Sequence, residues 1–326
     1  MEYRQLGRTG LNVSVLGFGC GAVGGLLING ERSEMLRVID RAIELGISYF
    51  DTAQSYGAGQ SEANLGAVLQ ELGHSALVGT KVQLAPAELH DIEGAVSRAA
   101  EASLRRLRRD RIDLFQLHNP IVAERQPGGQ GLTIAELEAV VTGFQKLQQH
   151  GKIRSWGING IGETDALHQA LSQIQTDTIQ CCVNLLNPSA GWPAPGGFLY
   201  QDYQQLIDAA ASRQIGVIAI RVLAGGALSG SAERRPNAAR VVEPIASGQQ
   251  YDDDVRQARR FQPLIQAGYA DSLIEAAIRF VIGKAEVATA LVGVSDLEQL
   301  EQAAGAANRG ALPAEALEQL RQIWAA

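Results

Sequence analysis

The sequence predicts an α/β protein, a (β/α)₈ barrel with an N-terminal β-hairpin and extra helices towards its C-terminus. Three observations carry this reading. Eight short apolar runs recur along the chain, each followed by a turn and then an amphipathic stretch. Strand alternating with helix implies parallel strands joined by helical crossovers. Eight such units in 326 residues suit barrel closure with insertions, since the fold typically takes about 250 residues. An open doubly wound sheet is the competing arrangement of the same elements. No Pro/Ser-rich linker or low-complexity tract divides the chain, so residues 1–326 read as one domain.

Residues 2–15 read as a hairpin around Arg8-Thr9-Gly10, placed to plug the barrel bottom. Strands are expected at 14–19, 47–50, 77–81, 113–117, 153–158, 178–183, 216–220 and 288–292. Helices are expected at 33–45, 61–72, 92–108, 134–149, 163–173 and 202–213. In the first of these, Met35, Val38, Ile39, Ala42 and Ile43 fall on one face. The Gly- and Pro-bearing stretches 119–133 and 185–198 each follow a strand, and Trp192 and Tyr200 are candidate pocket walls there. Residues 222–270 read as a long irregular excursion over the barrel top. The tail 313–324 is a closing helix with Leu317, Leu320 and Trp324 at helical spacing.

A chain with 46% hydrophobic residues buries a large core, and a net charge of -7 argues against nucleic acid or an anionic membrane as the main partner. A small molecule is the expected partner, and the sequence carries no signature of an oligomeric state. Met1 to Leu6 lacks the basic start and apolar stretch of a secretory signal. No apolar run reaches the roughly 20 residues of a membrane helix, because Arg221 and several glycines interrupt 215–230. The expected location is therefore the cytoplasm. Cys20, Cys181 and Cys182 make no even disulfide framework, and zinc-ligand spacings are missing, so no metal is expected. Arg105-Arg106-Leu107-Arg108-Arg109 reads as a solvated helix end, where the helix dipole favours cations.

In such a barrel, chemistry sits on the loops that follow the strands. Run 47–50 delivers Asp51, with Tyr56 five residues on; 77–80 delivers Lys81; 113–117 delivers His118. Asn159 follows 153–158, Gln180 lies within 178–183, and Arg221 follows 216–220. Each has a plain structural reading: Asp51 as a turn cap, Lys81 as a rim ion-pair partner, His118 as a satisfied core histidine, Tyr56 as a loop aromatic. Four such coincidences at one mouth favour chemistry. Reduction of a carbonyl by hydride transfer leaves charge on oxygen that a positioned acid must neutralise. A tyrosine hydroxyl is too weak an acid near neutrality unless a cation assists it. Lys81 supplies that cation, Asp51 holds it, and His118 donates a second hydrogen bond to the carbonyl.

Phe50-Asp51-Thr52-Ala53, Ser55-Tyr56-Gly57, Thr80-Lys81 and Leu117-His118-Asn119-Pro120 together resemble the catalytic tetrad of the aldo-keto reductases. Leu6-Gly7-Arg8-Thr9-Gly10-Leu11, Leu16-Gly17-Phe18-Gly19, Gly151 to Gly157 and Leu223-Ala224-Gly225-Gly226-Ala227-Leu228-Ser229-Gly230 resemble other segments of the same family. The resemblance runs from about residue 3 to 305 and implies an NAD(P)-dependent oxidoreductase acting on an aldehyde, ketone or aldose. By it, Tyr56 is the general acid, Lys81 and Asp51 tune it, and His118 orients the substrate. It also implies cofactor contacts from Gly21, Asp51, Asn159, Gln180, Ile220, Arg221, Leu223, Gly225, Gly293, Ser295 and Gln299.

Four departures qualify this. Gly157-Ile158-Asn159-Gly160 replaces the common Gly-x-Ser-Asn, closer to some sugar dehydrogenases of the family, and leaves Asn159 alone at the nicotinamide carboxamide. Ile220 stands where an aromatic usually stacks on the nicotinamide. Arg221 has no counterpart in the commonest pattern and suits a pyrophosphate or an anionic substrate. NADP is the family default, but in Val292-Gly293-Val294-Ser295-Asp296-Leu297-Glu298-Gln299 no arginine awaits a 2′-phosphate, which makes NAD the alternative; Ser295 and Glu298 also form a plain helix capping box. Two rival readings stand beside this one. Gly19-Cys20-Gly21-Ala22-Val23-Gly24 matches a Rossmann glycine pattern, with Asp51 ending the next strand. A nucleotide-binding accessory barrel without turnover is the second.

Overall fold

The computed structural model describes residues 1–325. Strands β1 (Tyr3–Gln5) and β2 (Asn12–Ser14) pair antiparallel, Tyr3 opposite Ser14, through a single 3₁₀ turn at Gly7–Thr9. There follow β3 (Leu16–Gly19), α1 (Leu26–Asn29), α2 (Arg32–Glu44), β4 (Tyr49–Asp51), α3 (Gln60–Leu72) and β5 (Leu77–Val82). Next come α4 (Ile92–Leu107), β6 (Ile112–Leu117), α5 (Ile134–Gln149), β7 (Ile153–Asn159), α6 (Thr164–Gln173) and β8 (Thr178–Cys182). The chain continues with α7 (Leu206–Ala211), β9 (Gly216–Ile220), α8 (Tyr251–Ala258), α9 (Gln262–Gln266), α10 (Leu273–Ile282), β10 (Val287–Gly293), α11 (Leu297–Asn308) and α12 (Ala314–Ala325).

Strands β3 to β10 close into one parallel barrel, β10 pairing with both β3 and β9. This closure removes the open-sheet alternative and the Rossmann reading with it. The glycine-rich segment after β3 leads into the one-turn α1, not into a long crossover helix. Among the described residues no helix is long and apolar enough to cross a membrane.

Side chains alternate across each strand, so residues two apart share a face. On the inward face the lower layer is apolar. Tyr49, Leu114, Ile218, Ala288 and Leu291 pack there against Leu6, Leu11 and Val13 of the hairpin, which closes the bottom. Full burial of a leucine contributes about 1.5–3 kcal/mol, so Leu6 and Leu11 anchor the hairpin strongly. Gly7 allows this approach: it has φ 52°, and a Cβ there would stand 2.2 Å from the Gly216 nitrogen. The outward faces build the larger core with the helices, as in the aromatic run Phe115, Phe144 and Trp156.

Four readings need correction. The helix expected at 202–213 is only Leu206–Ala211, because Gln204 and Gln205 take positive φ just before it. The segment 222–270 is not irregular throughout: it holds a 3₁₀ stretch at Ala224–Ser229, α8 and α9. Helix α10 was not anticipated at all. Most of it is buried, and its two charged residues, Glu275 and Arg279, lie one turn apart on one face, where they pair. The arginine run at 105–109 is also more than a solvated end, since Arg106 pairs with the buried Glu62 and Arg109 with Asp113.

Candidate active site

The polar tier lies directly above the apolar layer. Strand β4 turns Tyr49 and then Asp51 inward, β5 Gly79 and Lys81, β6 Leu114 and Gln116, β7 Gly157 and Asn159, β8 Thr178 and Gln180. The parallel register sets Asp51 beside Gly79, Lys81 beside Gln116, and Asn159 beside Gln180.

Lys81 is 1% exposed. Its ammonium donates to Asp51 Oδ1, to the Thr52 carbonyl at 2.8 Å and to Tyr56 Oη at 3.2 Å. Burial alone would push this ammonium down; the Asp51 carboxylate outweighs burial and holds it above the ordinary lysine range. The other carboxylate oxygen, Oδ2, accepts from Tyr49 Oη at 3.0 Å, Gln116 Nε2 at 3.2 Å and Gln180 Nε2 at 2.8 Å. A buried charge costs several kcal/mol unless paired and hydrogen-bonded. Here both oxygens are occupied.

Tyr56 is presented by the loop after β4. Gly57 and Ala58 take left-handed φ of 59° and 52°, which turns the chain sharply into α3. The loop is tied down by Thr52 Oγ1 to Ser61 Oγ at 2.8 Å and Ser61 Oγ to the Cys20 carbonyl at 2.9 Å. Gly21 lies on the tyrosine ring, where a Cβ would meet Cε2 and Cζ at 3.3 Å. His118, at the end of β6, sets its ring edge-on to Tyr56 with centroids 5.6 Å apart. Its Nδ1 lies 3.2 Å from Ser55 Oγ, and its carbonyl accepts from Asn159 Nδ2 at 2.9 Å. Burial, with the Lys81 charge added, holds the imidazole down to about 3, so it is neutral at ordinary pH. Behind the loop, Glu62 on α3 accepts from Thr80 Oγ1 and Arg106 Nε, each at 2.6 Å.

Asp51, Tyr56, Lys81 and His118 thus meet in one cluster, with Gln180 and Asn159 bonded to it. Both ends of the Asn159 amide serve the chain itself, since Oδ1 accepts from the Ile161 amide at 3.1 Å. Ile220, Arg221, Leu223 and Gly225 follow one another at the end of β9, and Gly293, Ser295 and Gln299 at the end of its neighbour β10. Arg221 has φ 59°, donates Nη2 to the Glu243 carbonyl at 2.7 Å, and has a buried Nε without a partner. A strap runs from here to the loop after β3: Arg234 bonds the carbonyls of Gly225 and Val23, and the Ala239 amide donates to Ala22.

The capping expectation at α11 shifts by one residue. Asp296, not Ser295, is the N-cap, accepting from the Gln299 amide, and Gln299 Oε1 accepts in return from the Ser295 amide at 2.9 Å. Ser295 Oγ instead donates to the Gly24 carbonyl at 2.6 Å. Trp192 stacks on Phe280 of α10 at 4.3 Å, and Tyr200 packs edge-on to Phe198. Sequence reasoning missed Tyr49, Ser55 and Gln116. A glutamine inside the apolar run 113–117 was the available signal for the last.

The sequence model of the aldo/keto reductase family matches residues 15–325. The uncharacterized oxidoreductase YqkF of Bacillus subtilis is 25% identical, covering 98% of this chain and 96% of that protein. The L-galactose dehydrogenase of Arabidopsis thaliana is also 25% identical, with 93% and 86% covered. The D-threo-aldose 1-dehydrogenase of a Pseudomonas species is 28% identical, with 90% and 89% covered. Among solved structures, the holo form of aldo-keto reductase AKR11C1 from Bacillus halodurans superposes with a TM-score of 0.73 at 24% identity, covering 99% of this chain and 96% of that one. Matched from its first barrel strand to its last helix, the chain belongs to the aldo/keto reductase family of oxidoreductases.

Proposed function

We propose that the chain is an NAD(P)H-dependent oxidoreductase that reduces an aldehyde or ketone, or oxidises an aldose or alcohol, with Tyr56 as the proton-transferring group. The observation that carries this is the single ammonium of Lys81, shared between Asp51 and Tyr56 Oη in a nearly dry site. A phenol that gives its proton to a developing alkoxide becomes a phenolate, and Lys81 already donates to that oxygen. Asp51 keeps the ammonium charged and aimed. Neutral His118 has Nδ1 engaged with Ser55, which leaves Nε2–H to donate to the carbonyl oxygen and orient it. In the oxidative direction the same groups remove the proton from an alcohol.

The residues present fit a nicotinamide dinucleotide. In barrels of this class phosphate groups commonly bind at the loops after the seventh and eighth strands. At that place this chain holds a buried guanidinium nitrogen without a partner, Arg221 Nε, beside the glycine turn at 225–226. Arg221, Leu223 and Gly225 are the proposed phosphate contacts; Gly21, Asp51, Asn159, Gln180 and Ile220 those of the nicotinamide half; Gly293, Ser295 and Gln299 those of the adenosine half. When bound, the nicotinamide supplies or accepts the hydride. NADP, the family default, is the proposed nucleotide; NAD stands as the alternative because Arg235, the guanidinium beside α11, is already paired with Asp296 and Glu298.

Tyr56→Phe tests the reading. It removes a proton and little contact area, so turnover falls by roughly 10² to 10⁴ while nucleotide affinity measured by fluorescence titration stays within about twofold. Equal loss of binding and turnover would show that Tyr56 holds the ligand and does not move the proton.

A further inference from the structure

Tyr49 is a large, fully buried side chain, and nothing in the chemistry proposed above calls for a phenol at that position. Its ring belongs to the apolar layer with Leu6, Leu11, Leu114, Ile218 and Leu291. A phenylalanine would fill that layer equally well. The hydroxyl rises out of it instead and donates to Asp51 Oδ2 at 3.0 Å, two residues along the same inward face. Burial, and then the neighbouring carboxylate, keep this phenol protonated far beyond ordinary pH, so it is a permanent donor.

The strand beside it makes room. A Cβ at Gly79 would stand 2.0 Å from Tyr49 Oη and 2.8 Å from Cζ. Gly79 has no positive φ to explain it. It lies opposite Asp51 in the ladder and two residues before Lys81 on the inward face. The barrel therefore gives up a side chain under Lys81, and the phenol fills that space on its way to the carboxylate.

We propose that Tyr49 is a positioning residue for the Asp51–Lys81 pair and that Gly79 is the matched space that lets it act. The phenol holds Asp51 Oδ2 from below, which turns Oδ1 to the ammonium and the ammonium to Tyr56 Oη. This inference rests on the reading of Asp51, Lys81 and Tyr56 as the proton-handling group.

The test is a double-mutant cycle on the full chain with Tyr49→Phe, Gly79→Ala and both together, using glyceraldehyde as the carbonyl and NADPH as the nucleotide. Melting temperature is read first, because Tyr49→Phe keeps the ring and retains the fold even where Gly79→Ala does not. One charge-assisted hydrogen bond is lost, so kcat of Tyr49→Phe falls about tenfold, with KM and nucleotide Kd within about twofold. Gly79→Ala drives the phenol off the carboxylate and lowers kcat at least as far. The double variant is no slower than Gly79→Ala alone, since both remove the same bond. Wild-type kcat in Tyr49→Phe, or effects that multiply in the double variant, would overturn the proposal. Tyr56→Phe separates the two levels. If it is inactive while Tyr49→Phe is unchanged, only the positioning role fails; if it turns over at the wild-type rate, the reading of the site and this inference fall together.

Discussion

At the scale of single residues, the candidate site keeps the Asp51–Lys81 charges buried away from water. Lys81 stays an ammonium because Asp51 outweighs the cost of burial, and His118 stays neutral because nothing does so for it. The second fact has a measurable consequence. The unfolded chain protonates this histidine as pH falls through about 6.5, whereas the folded chain holds off until about 3. Across that window the unfolded state binds more protons, so His118 makes stability fall as pH falls. His118→Asn is expected to flatten the acid limb of stability against pH in urea titrations. An unchanged limb would mean that the folded protein protonates His118 without penalty. Asp51, Lys81 and His118 were legible in the sequence because each follows an apolar run, where a polar residue stands out, and Tyr56 because it lies in the loop just after Asp51. Tyr49 was not, because an aromatic inside such a run reads as packing, and only the distance from its oxygen to Asp51 says otherwise.

At the scale of elements, α3 and α4 hold the tyrosine loop against the barrel through one buried carboxylate. Glu62 is 0% exposed and takes Thr80 on one oxygen and Arg106 on the other. Removing one partner of a buried pair leaves an uncompensated charge, at a cost of about 3–5 kcal/mol when both are fully buried. Arg106 keeps some solvent contact, so Arg106→Ala should destabilise by about 2–3 kcal/mol in chemical denaturation. A change under about 0.5 kcal/mol would mean that water solvates Glu62 in the variant. At the other end of the mouth, Asp296→Ala should cost about 1 kcal/mol as a lost N-cap, and Ser295→Ala should leave that cap intact. Strands and amphipathic helices were legible here to within a few residues, as β9 at Gly216–Ile220 and α5 at Ile134–Gln149 illustrate. Helix α10 was overlooked although its sequence carries the signal, Glu275 and Arg279 marking a polar face one turn apart in an otherwise apolar run. The cap at α11 was misplaced because Ser295 and Asp296 are both good cap residues, and only the backbone decides between them.

At the scale of the whole molecule, the barrel separates two jobs along its axis. The hairpin and the lower layer supply packing, and the strand ends carry the buried polar cluster proposed to do the chemistry. Leu11→Ala, in the plug, should destabilise by about 2–5 kcal/mol without altering nucleotide affinity in the fraction that remains folded. A shift in nucleotide Kd in that variant would show that the plug and the site are mechanically coupled. The closed topology was legible from eight alternating units, whereas the strap from β9 to the β3 loop was not. Its hold depends on Arg234 and on backbone groups such as Ala239 N that carry no sequence signature.

The central claim is that this constellation binds a nicotinamide nucleotide and moves a proton to or from a carbonyl oxygen. Fluorescence titration of the purified protein with NADPH and NADH, followed by turnover on a small panel of aldehydes and aldoses, tests it most directly. Saturable binding of one or both nucleotides, with turnover of at least one carbonyl, is the predicted result; failure to bind either nucleotide would contradict the account.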